Sequence, residues 1–258
     1  MTGRARPSRR ELGGDQVEGR QAVRELLVAG RRKVYELWVA SDDERGPVRD
    51  IVDLAARGRV TVKHVSAGKL AGTARTEAPQ GVLARCAPLE EVEFDKLTKR
   101  RKGVAPFLLA VDGVTDPGNL GALLRAAECN GVTGVVLPRH RSVHVTPAVT
   151  KAAAGAIEHL PMTVVAGLPN ALEHLKTAGV WVIGLDGGGD TPVDRLPLAS
   201  EPLVLVLGAE GAGLSPLVRK RCDVVAAIAR RGRLASLNVA AAGAIATFEV
   251  ARQRAHAD

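Results

Sequence analysis

The chain has 258 residues, of which 46% are hydrophobic and 25% are charged, a usage typical of globular proteins. This composition excludes wholesale disorder and collagen-like repetition, and no apolar run approaches the ~20 residues that a membrane helix requires. Thirty-six basic residues outnumber 28 acidic ones, and the formal net charge of +8 favours a polyanionic partner such as nucleic acid. Aromatic residues make up only 2% of the chain, which disfavours a protein that stacks successive bases on aromatic side chains.

The N-terminal residues 1–16 are polar and rich in arginine, and we interpret them as a flexible basic arm. No hydrophobic segment behind them suits a signal peptide, so we expect a soluble, cytoplasmic protein. The cysteines Cys86, Cys129 and Cys222 lie far apart and are odd in number. That pattern fits neither a disulfide framework nor a metal site, so we expect three buried thiols and no bound metal.

Residues 17–87 show the pattern of a small α/β domain. Helical spacing of apolar residues is followed by runs rich in β-branched residues, and the segment predicts helices ending near residue 30, at 48–56 and at 67–71, with strands at 34–40, 60–65 and 81–86. Residues 88–105 interrupt this alternation with acidic residues followed by a basic run. We interpret them as a linker whose basic run is either a solvated loop or a clamp on an RNA backbone.

Residues 106–258 are predicted to form a larger α/β domain with a mostly parallel sheet. Strands are predicted where apolar residues are continuous, at 107–111, 134–137, 162–165, 180–185, 203–207 and 224–228. Helices are predicted near 120–130, 147–158, 169–178, 216–222 and 237–253. Strands that are apolar on both faces and alternate with helices indicate a sheet covered on both sides. Ligands of such sheets bind in the loops beyond the carboxyl ends of the strands.

The first candidate site segment is residues 112–125, which the pattern predicts as a strand end, a tight loop and a helix start. Asn119 is a candidate N-cap, and Arg125 lies six residues further along the helix, so that the pair can border one cleft. The alternative is purely structural: Asn119 caps the helix and Arg125 is solvated.

Two further segments follow predicted strands. Residues 207–215 form a glycine-rich turn with Gly208 and Glu210, and their spacing matches neither the dinucleotide fingerprint nor a P-loop, although a nucleoside site is compatible with them. Residues 228–239 carry a basic run and then Ser236 and Asn238 at a helix start. These two polar residues either cap the helix or take part in a site. The glycine turn, likewise, can be structural only, and Gly187, Gly188 and Gly189 are interpreted as an ordinary loop.

At these three segments, in this order, the chain resembles the SpoU/TrmH family of the SPOUT superfamily, RNA ribose 2′-O-methyltransferases that use S-adenosylmethionine. The likeness covers about residues 106–254 and is greatest to the RlmB-type members, which methylate a guanosine in the peptidyl-transferase region of large-subunit rRNA. Residues 139–156 also follow the pattern of that group, and 19–86 resemble its ribosomal-protein-like substrate-binding domain. The resemblance implies a deep trefoil knot in the C-terminal domain and a homodimer whose active site draws on both subunits.

The resemblance also implies roles for individual residues. The implied catalytic residues are Asn119, Arg125, Glu210, Ser236 and Asn238, and the implied cofactor-binding residues are Gly208, Ile228 and Leu237. The chain departs from the family pattern in two places: Ala229 and Arg230 stand where relatives usually have Pro and Met, and Ala240 stands where they usually have Ser.

The function predicted from these observations is S-adenosylmethionine-dependent methylation of a ribose 2′-hydroxyl in RNA, on a guanosine of 23S rRNA. Two alternatives keep the same fold: a tRNA 2′-O-methyltransferase, and a non-catalytic RNA-binding factor in ribosome assembly. A dinucleotide-dependent oxidoreductase is disfavoured because the fingerprint spacing is absent from the sequence.

Overall fold

Two separate sheets organise the chain in the computed structural model, which describes residues 12–41, 46–100, 103–234 and 236–256. The N-terminal sheet has the strand order β1-β4-β2-β3, in which β2 and β3 are parallel and the other pairs antiparallel. Its elements are β1 (Gln16–Glu18), α1 (Arg20–Ala29), β2 (Val34–Ala40), α2 (Pro47–Arg57), β3 (Thr61–Val65), α3 (Ala67–Thr73) and β4 (Val82–Cys86). The small α/β domain expected from the sequence is confirmed.

Helix α1 shows why this domain folds as predicted. Its residues Ala22, Val23 and Leu26 are buried on one face, against a core that also contains Val39 of β2 and Ile51 of α2. Gly30 ends the helix in the left-handed conformation, with φ of 57°, and its N–H donates to the carbonyl of Leu26. A glycine is favoured there because it has no Cβ to clash in that region.

The segments on either side of the N-terminal domain pack against the fold. Leu12 is buried, and its N–H donates to the carbonyl of Leu89. The N–H of Leu89 in turn donates to the carbonyl of Gly13. The interpretation of residues 12–16 as part of a flexible arm is therefore wrong, while 1–11 lie outside the described residues. Within 88–105, a short helix α4 (Phe94–Leu97) buries Leu97 in the core of the larger domain.

The C-terminal sheet has seven strands in the order β7-β6-β5-β10-β8-β11-β9, and every paired strand in it is parallel. Its elements are β5 (Phe107–Asp112), α5 (Pro117–Cys129), β6 (Gly134–Pro138), α6 (Pro147–Ala152), β7 (Met162–Val165), α7 (Leu168–Thr177), β8 (Trp181–Leu185), β9 (Thr191–Pro192), β10 (Leu203–Gly208), α8 (Pro216–Arg221), β11 (Val224–Ala227) and α9 (Val239–Arg254). The predicted parallel α/β architecture is confirmed. No helix in the described part of the chain is long and apolar enough to span a membrane.

Both faces of this sheet are covered by helices, as its strands indicate. Phe107, Leu109 and Val111 of β5 face a core shared with α5, α6 and α9. Leu108 and Ala110 face the opposite core, which includes residues of α7 and α8. The alternation follows from the two-residue period of a strand, and it explains why the whole of β5 up to Val111 is apolar.

Two sequence predictions in this domain are wrong. The helix expected at 147–158 ends at Ala152, and Gly155 has φ of 90° before a single 3₁₀ turn at Ala156–Glu158. A Cβ at Gly155 would lie 2.4 Å from the Cβ of Glu25, so the break lets α1 approach closely. Cys129 is exposed on α5, although burial raises the pKa of both Cys86 and Cys222 to about 11.

The two domains are joined by a buried ion pair. The side chains of Arg32 and Glu158 are 5% and 0% exposed, and Arg32 donates from Nε to Oε2 at 2.9 Å and from Nη2 to Oε1 at 2.5 Å. Arg32 also donates to the carbonyls of Gly14 and Ala87. These contacts use all three nitrogens of Arg32 and both carboxylate oxygens of Glu158, and they hold the small domain against the large one.

Candidate active site

A cleft of about 500 Å³ opens at the carboxyl ends of β8, β10 and β11, where the sequence analysis expected a ligand. Its walls come from residues 185–188 after β8, 207–213 after β10, and the stretch from Ile228 to the start of α9. Adjacent parallel strands end on the same edge of a sheet, so three segments that are distant in sequence meet there.

The loop after β10 forms one wall of the cleft with its backbone. Ala209 and Gly213 exchange two backbone hydrogen bonds of 3.0 and 2.9 Å, and Gly211 and Gly213 have positive φ angles of 77° and 67°. A Cβ on Gly208 would lie 2.1 Å from the carbonyl carbon of Gly213. Only a glycine fits at position 208, and the tight turn leaves peptide groups rather than side chains along this wall.

A second wall follows β8, and the sequence analysis missed it by treating the glycines at 187–189 as an ordinary loop. Oδ1 of Asp186 accepts a hydrogen bond from the N–H of Gly188 at 2.9 Å and pairs with Arg219 at 3.1 Å. The Gly188 N–H, with smaller contributions from Leu214 and Arg219, holds the pKa of the Asp186 carboxyl below its ordinary value. Asp186 directly follows a predicted buried strand, and that position was the available signal.

Arg230, one of the departures from the family pattern, has a defined place in this wall. It lines the cleft, and its guanidinium donates to the carbonyl of Gly187 at 3.3 Å. Arg219 donates to the carbonyl of Gly188 at 3.1 Å. Two arginines therefore fasten the loop after β8.

A chain of amide and carboxylate contacts lies beside the cleft. Nδ2 of Asn238 donates to Oδ1 of Asn119 at 2.8 Å, and Nδ2 of Asn119 donates to Oε2 of Glu210 at 3.2 Å. Asn238 also caps α9, since its Oδ1 accepts from the N–H groups of Ala240 and Ala241. Three residues from the three sequence segments thus form one network.

The predicted cap of α5 is wrong. Asp116 caps this helix, and its Oδ1 accepts a hydrogen bond from the N–H of Asn119 at 2.6 Å. The side chain of Asn119 is thereby released from capping and takes part in the network with Asn238 and Glu210.

The sequence-predicted residues divide into three groups. Those that line the cleft are Gly208, Glu210, Ile228, Ser236 and Leu237. Asn119 and Asn238 reach it through Glu210. Arg125 is exposed, is absent from the cleft lining, and makes no hydrogen bond or ion pair with the residues that the structure describes. Six residues along a helix separate it from Asn119 by roughly 120° around the axis, so the two side chains leave α5 in different directions, and the expectation that they border one cleft stays a prediction.

Asp112 at the end of β5 is a further residue that sequence reasoning missed. Its Oδ2 accepts a hydrogen bond of 2.7 Å from the N–H of Ser215, just beyond the glycine loop. This contact connects the loop before α5 to the loop before α8. Across the described ranges, no group of three or more His, Cys, Asp or Glu side chains is placed to hold a metal ion.

Comparison with known families defines the class as RNA methylases. Residues 106–248 match the model of the SpoU rRNA methylase family, and residues 16–92 match the model of the RNA 2′-O-ribose methyltransferase substrate-binding domain. The chain belongs to the SpoU rRNA methylase family, and its larger domain is an RNA 2′-O-methyltransferase domain.

Several relatives are similar over nearly the whole chain. The 23S rRNA (guanosine-2′-O-)-methyltransferase RlmB of Pseudomonas aeruginosa is 39% identical over 93% of this chain and 97% of its own length. YacO of Bacillus subtilis, assigned to the TrmH family of tRNA/rRNA methyltransferases, is 37% identical over 93% of this chain and 96% of its own length. The solved structure of the SpoU methyltransferase AviRb from Streptomyces viridochromogenes with AdoMet has a TM-score of 0.76 at 26% identity, covering 93% of this chain and 90% of that one.

Proposed function

We propose that this protein transfers a methyl group from S-adenosylmethionine to the ribose 2′-hydroxyl of a guanosine in 23S rRNA. The observation that carries the proposal is the Asn238–Asn119–Glu210 network beside the glycine-walled cleft. We take the target, a guanosine of 23S rRNA, from the names of the RlmB relatives.

The cleft fits this cofactor in size and chemistry. Its volume of about 500 Å³ lies within the range of roughly 300–1,000 Å³ that is typical of ligand pockets. Apolar side chains of Leu185, Leu207 and Leu237 and the exposed peptide groups of the glycine loop suit an adenosine held largely through the backbone. When bound, S-adenosylmethionine supplies a methyl group activated by a positively charged sulfonium. The charged residues of the cleft lining are Asp186, Glu210 and Arg230, so carboxylates outnumber the guanidinium and favour a cation.

The polar network fixes the groups that would meet the ribose. The amide of Asn119 is oriented at both ends, by the donor of Asn238 and by the carboxylate of Glu210. Ser236, exposed at the edge of the cleft, adds a hydroxyl that can donate or accept. Groups held in this way align an in-line displacement without reorganising when the nucleotide arrives.

Arg125 has a different part in the proposal. A guanidinium with a pKa above ~12 is a poor general base, so we assign it to the RNA phosphate and to polarising the hydroxyl. Its exposure and its lack of a polar contact within the described residues leave the guanidinium available for a phosphate. Its position outside the cleft of its own chain fits action at the cleft of a second subunit.

A homodimer built on α5 and α9 would supply that arrangement. Ile245 and Phe248 lie on one side of α9 and are 40% and 54% exposed, next to the helix that carries Arg125. Exposed apolar residues grouped on one helix face are typical of an interface, and a two-fold axis would bury the same face of both chains. Light scattering should then give twice the 27.0 kDa chain mass.

Mixing two variants with different defects, at an S-adenosylmethionine concentration too low for the Gly208→Ala cleft to bind it, tests the shared site. Arg125→Ala removes the phosphate-binding group, and Gly208→Ala blocks the cofactor wall. In a mixed dimer, the intact cleft of the first subunit faces the intact Arg125 of the second, so mixing should restore methyl transfer. If each site is contained within one chain, the mixture stays inactive and the shared site is refuted.

The reaction itself is tested with S-adenosylmethionine carrying a labelled methyl group, offered with 23S rRNA or with tRNA, followed by mapping of 2′-O-methylated positions. Label on a guanosine of 23S rRNA is the expected result. Label on tRNA alone would favour the tRNA methyltransferase instead. RNA binding without transfer, under conditions in which the cofactor binds, would favour an assembly factor.

A further inference from the structure

A second cavity, of about 630 Å³, lies where the N-terminal segment meets the large domain, and we call it the junction pocket. Its polar lining residues are Glu91, Arg139 and His144, and apolar lining comes from Leu137, Val145 and Val164. It opens at the carboxyl ends of β6 and β7 and shares no lining residue with the cleft described above. None of its residues has a role in the mechanism proposed so far.

The fold builds the wall of this pocket by close backbone approach. Gly13 and Val145 form an isolated parallel bridge, and a Cβ on Gly13 would lie 2.6 Å from the carbonyl oxygen of Val145. The paired backbone of Leu12 and Leu89 extends the same wall. Segments from both ends of the substrate-binding domain therefore close onto the catalytic domain at this point.

Glu91 is held with one oxygen uncommitted. Its Oε1 accepts hydrogen bonds from the N–H of Val164 at 2.8 Å and from Oγ1 of the buried Thr163 at 3.1 Å. Its Oε2 has no hydrogen-bond partner among the residues that the structure describes. The side chains of Arg139 and His144 are exposed and likewise make no hydrogen bond or ion pair within the described chain. The pocket thus combines an oriented acceptor with two unused donors.

This set of groups matches guanine more closely than the other bases. The second oxygen of Glu91, Oε2, has two lone pairs and can accept from the adjacent N1–H and N2–H₂ groups of guanine, whereas adenine presents an acceptor at N1. An arginine pairs with the O6 and N7 acceptors of guanine, the commonest base-specific contact of that side chain. We propose that the junction pocket binds a guanine base of the RNA substrate, with Glu91 as the acceptor and Arg139 as the donor.

The pocket is connected directly to the reaction centre. The N–H of Val143 and the hydroxyl of Ser142 both contact the carbonyl of Val114, in the loop that leads into α5 and Asn119. Strand β6 also neighbours β5, which neighbours β10, and strands lie ~4.8 Å apart, so the carboxyl ends of β6 and β10 are about two strand spacings apart. The pocket and the cleft therefore open on the same edge of the sheet, where one RNA strand can reach both. The inference rests on the proposed function and deepens it, because it names the base that selects the substrate.

A double-substitution cycle tests the pocket. The protein is changed by Glu91→Gln, which keeps an acceptor for Val164 and Thr163, and the RNA by replacing one guanosine at a time with inosine, which lacks the N2 amino group. The substrate is the shortest 23S rRNA fragment that the wild-type protein methylates. At one position, inosine should lower kcat/KM for the wild type by about tenfold or more, and Glu91→Gln should lower it similarly on guanosine RNA. Inosine at that position should then lower kcat/KM of the Glu91→Gln variant little further.

The control variant is Glu93→Gln, which removes the same charge from an exposed residue outside the pocket. It should leave kcat/KM and the inosine effect unchanged, so a general loss of negative charge near the RNA is separated from base recognition. Cofactor affinity and melting temperature should be unchanged in both variants. The position of the sensitive guanosine decides whether the pocket holds the base of the methylated nucleotide or that of a neighbour.

The junction pocket would be overturned if the kcat/KM losses from Glu91→Gln and from inosine multiplied independently at every guanosine, or if Glu91→Gln had no effect. Either result would leave the methyltransferase activity established. A wild-type protein that methylates no RNA would overturn the proposed function, and the junction-pocket assignment with it. A separate variant, Arg139→Ala, should lower kcat/KM less on RNA in which 7-deazaguanosine, which lacks N7 but keeps O6, replaces the sensitive guanosine than on guanosine RNA.

Discussion

Arg32 at the domain junction and Arg125 on α5 have opposite surroundings. The side chain of Arg32 is 5% exposed and donates to both oxygens of Glu158 and to two backbone carbonyls. Arg125 is exposed and has no polar partner in the described part of the protein. A buried charge whose three nitrogens are all hydrogen-bonded serves the fold, because removal of its partner leaves an unpaired charge. An exposed charge without a partner costs the fold nothing to remove and is available to a ligand.

The largest change in stability is expected for Glu158→Ala. The substitution leaves the buried guanidinium of Arg32 without its carboxylate, and the free energy of unfolding should fall by about 3–5 kcal/mol. Urea unfolding measures the change. Lys63→Ala, which breaks the pair of Lys63 with Glu36 where Lys63 is 51% exposed, is the control and should cost less than about 1 kcal/mol. Equal losses in the two variants would contradict the structural importance assigned to the junction pair.

Arg125→Ala should lower activity without lowering stability, the reverse of the outcome expected for Glu158→Ala. We expect methyl transfer to fall by about 100- to 1,000-fold, the usual effect of removing one donor that stabilises a transition state. The melting temperature and the affinity for S-adenosylmethionine should stay at wild-type values, because the side chain makes no polar contact within the described structure. Turnover close to that of the wild type would remove Arg125 from the mechanism.

Gly208→Ala tests the backbone wall of the cleft. The added methyl group would lie 2.1 Å from the carbonyl carbon of Gly213, so the loop must shift at a cost of about 1–3 kcal/mol. Calorimetric titration should show S-adenosylmethionine binding weakened by about tenfold or more, as the same strain displaces the peptide groups that line the site. Gly232→Ala, where an added Cβ meets no atom within 4 Å, is the matched control and should bind normally.

The smallest expected effect is on RNA affinity, from a substitution in the basic run at residues 230–233 after β11. Arg231 is exposed, and Arg231→Ala should lower RNA affinity modestly while reducing the slope of log affinity against log salt by about one unit. Fluorescence anisotropy at several salt concentrations measures both quantities. A wild-type affinity that does not change with salt would show that phosphate contacts do not drive RNA binding, in spite of the net charge of +8.

The hydrophobic pattern was sufficient to predict most elements of the fold. Continuous apolar runs identified β5, β6, β7, β8, β10 and β11 because a parallel strand is buried on both faces. The pattern failed at 147–158, where a close approach to Glu25 requires the break at Gly155. It also missed β1 and β9, which are three and two residues long, too short to show any period. The deep trefoil knot stays a prediction.

The candidate site was predictable only in part. The motifs identified Gly208, Glu210, Ile228, Ser236 and Leu237, which the parallel strands bring to one edge. The local pattern predicted Asn119 as the N-cap of α5. The cap is instead Asp116, three residues earlier, whose side chain accepts a hydrogen bond from the N–H of Asn119. The loop at Asp186 and the junction pocket were missed because their residues converge from segments with no shared motif.

The sequence by itself determined the fold class, the order of the elements, the basic character and the RNA methylase family, since these depend on composition, periodicity and short ordered motifs. The tertiary structure decided which of the site residues predicted from the sequence lie in contact. It joined Asn119, Glu210 and Asn238 into one network, left Arg125 outside the residues that line the cleft, and buried Arg32 against Glu158. The reason is physical: contacts between distant segments depend on how helices and strands pack in three dimensions, and no local pattern encodes those distances.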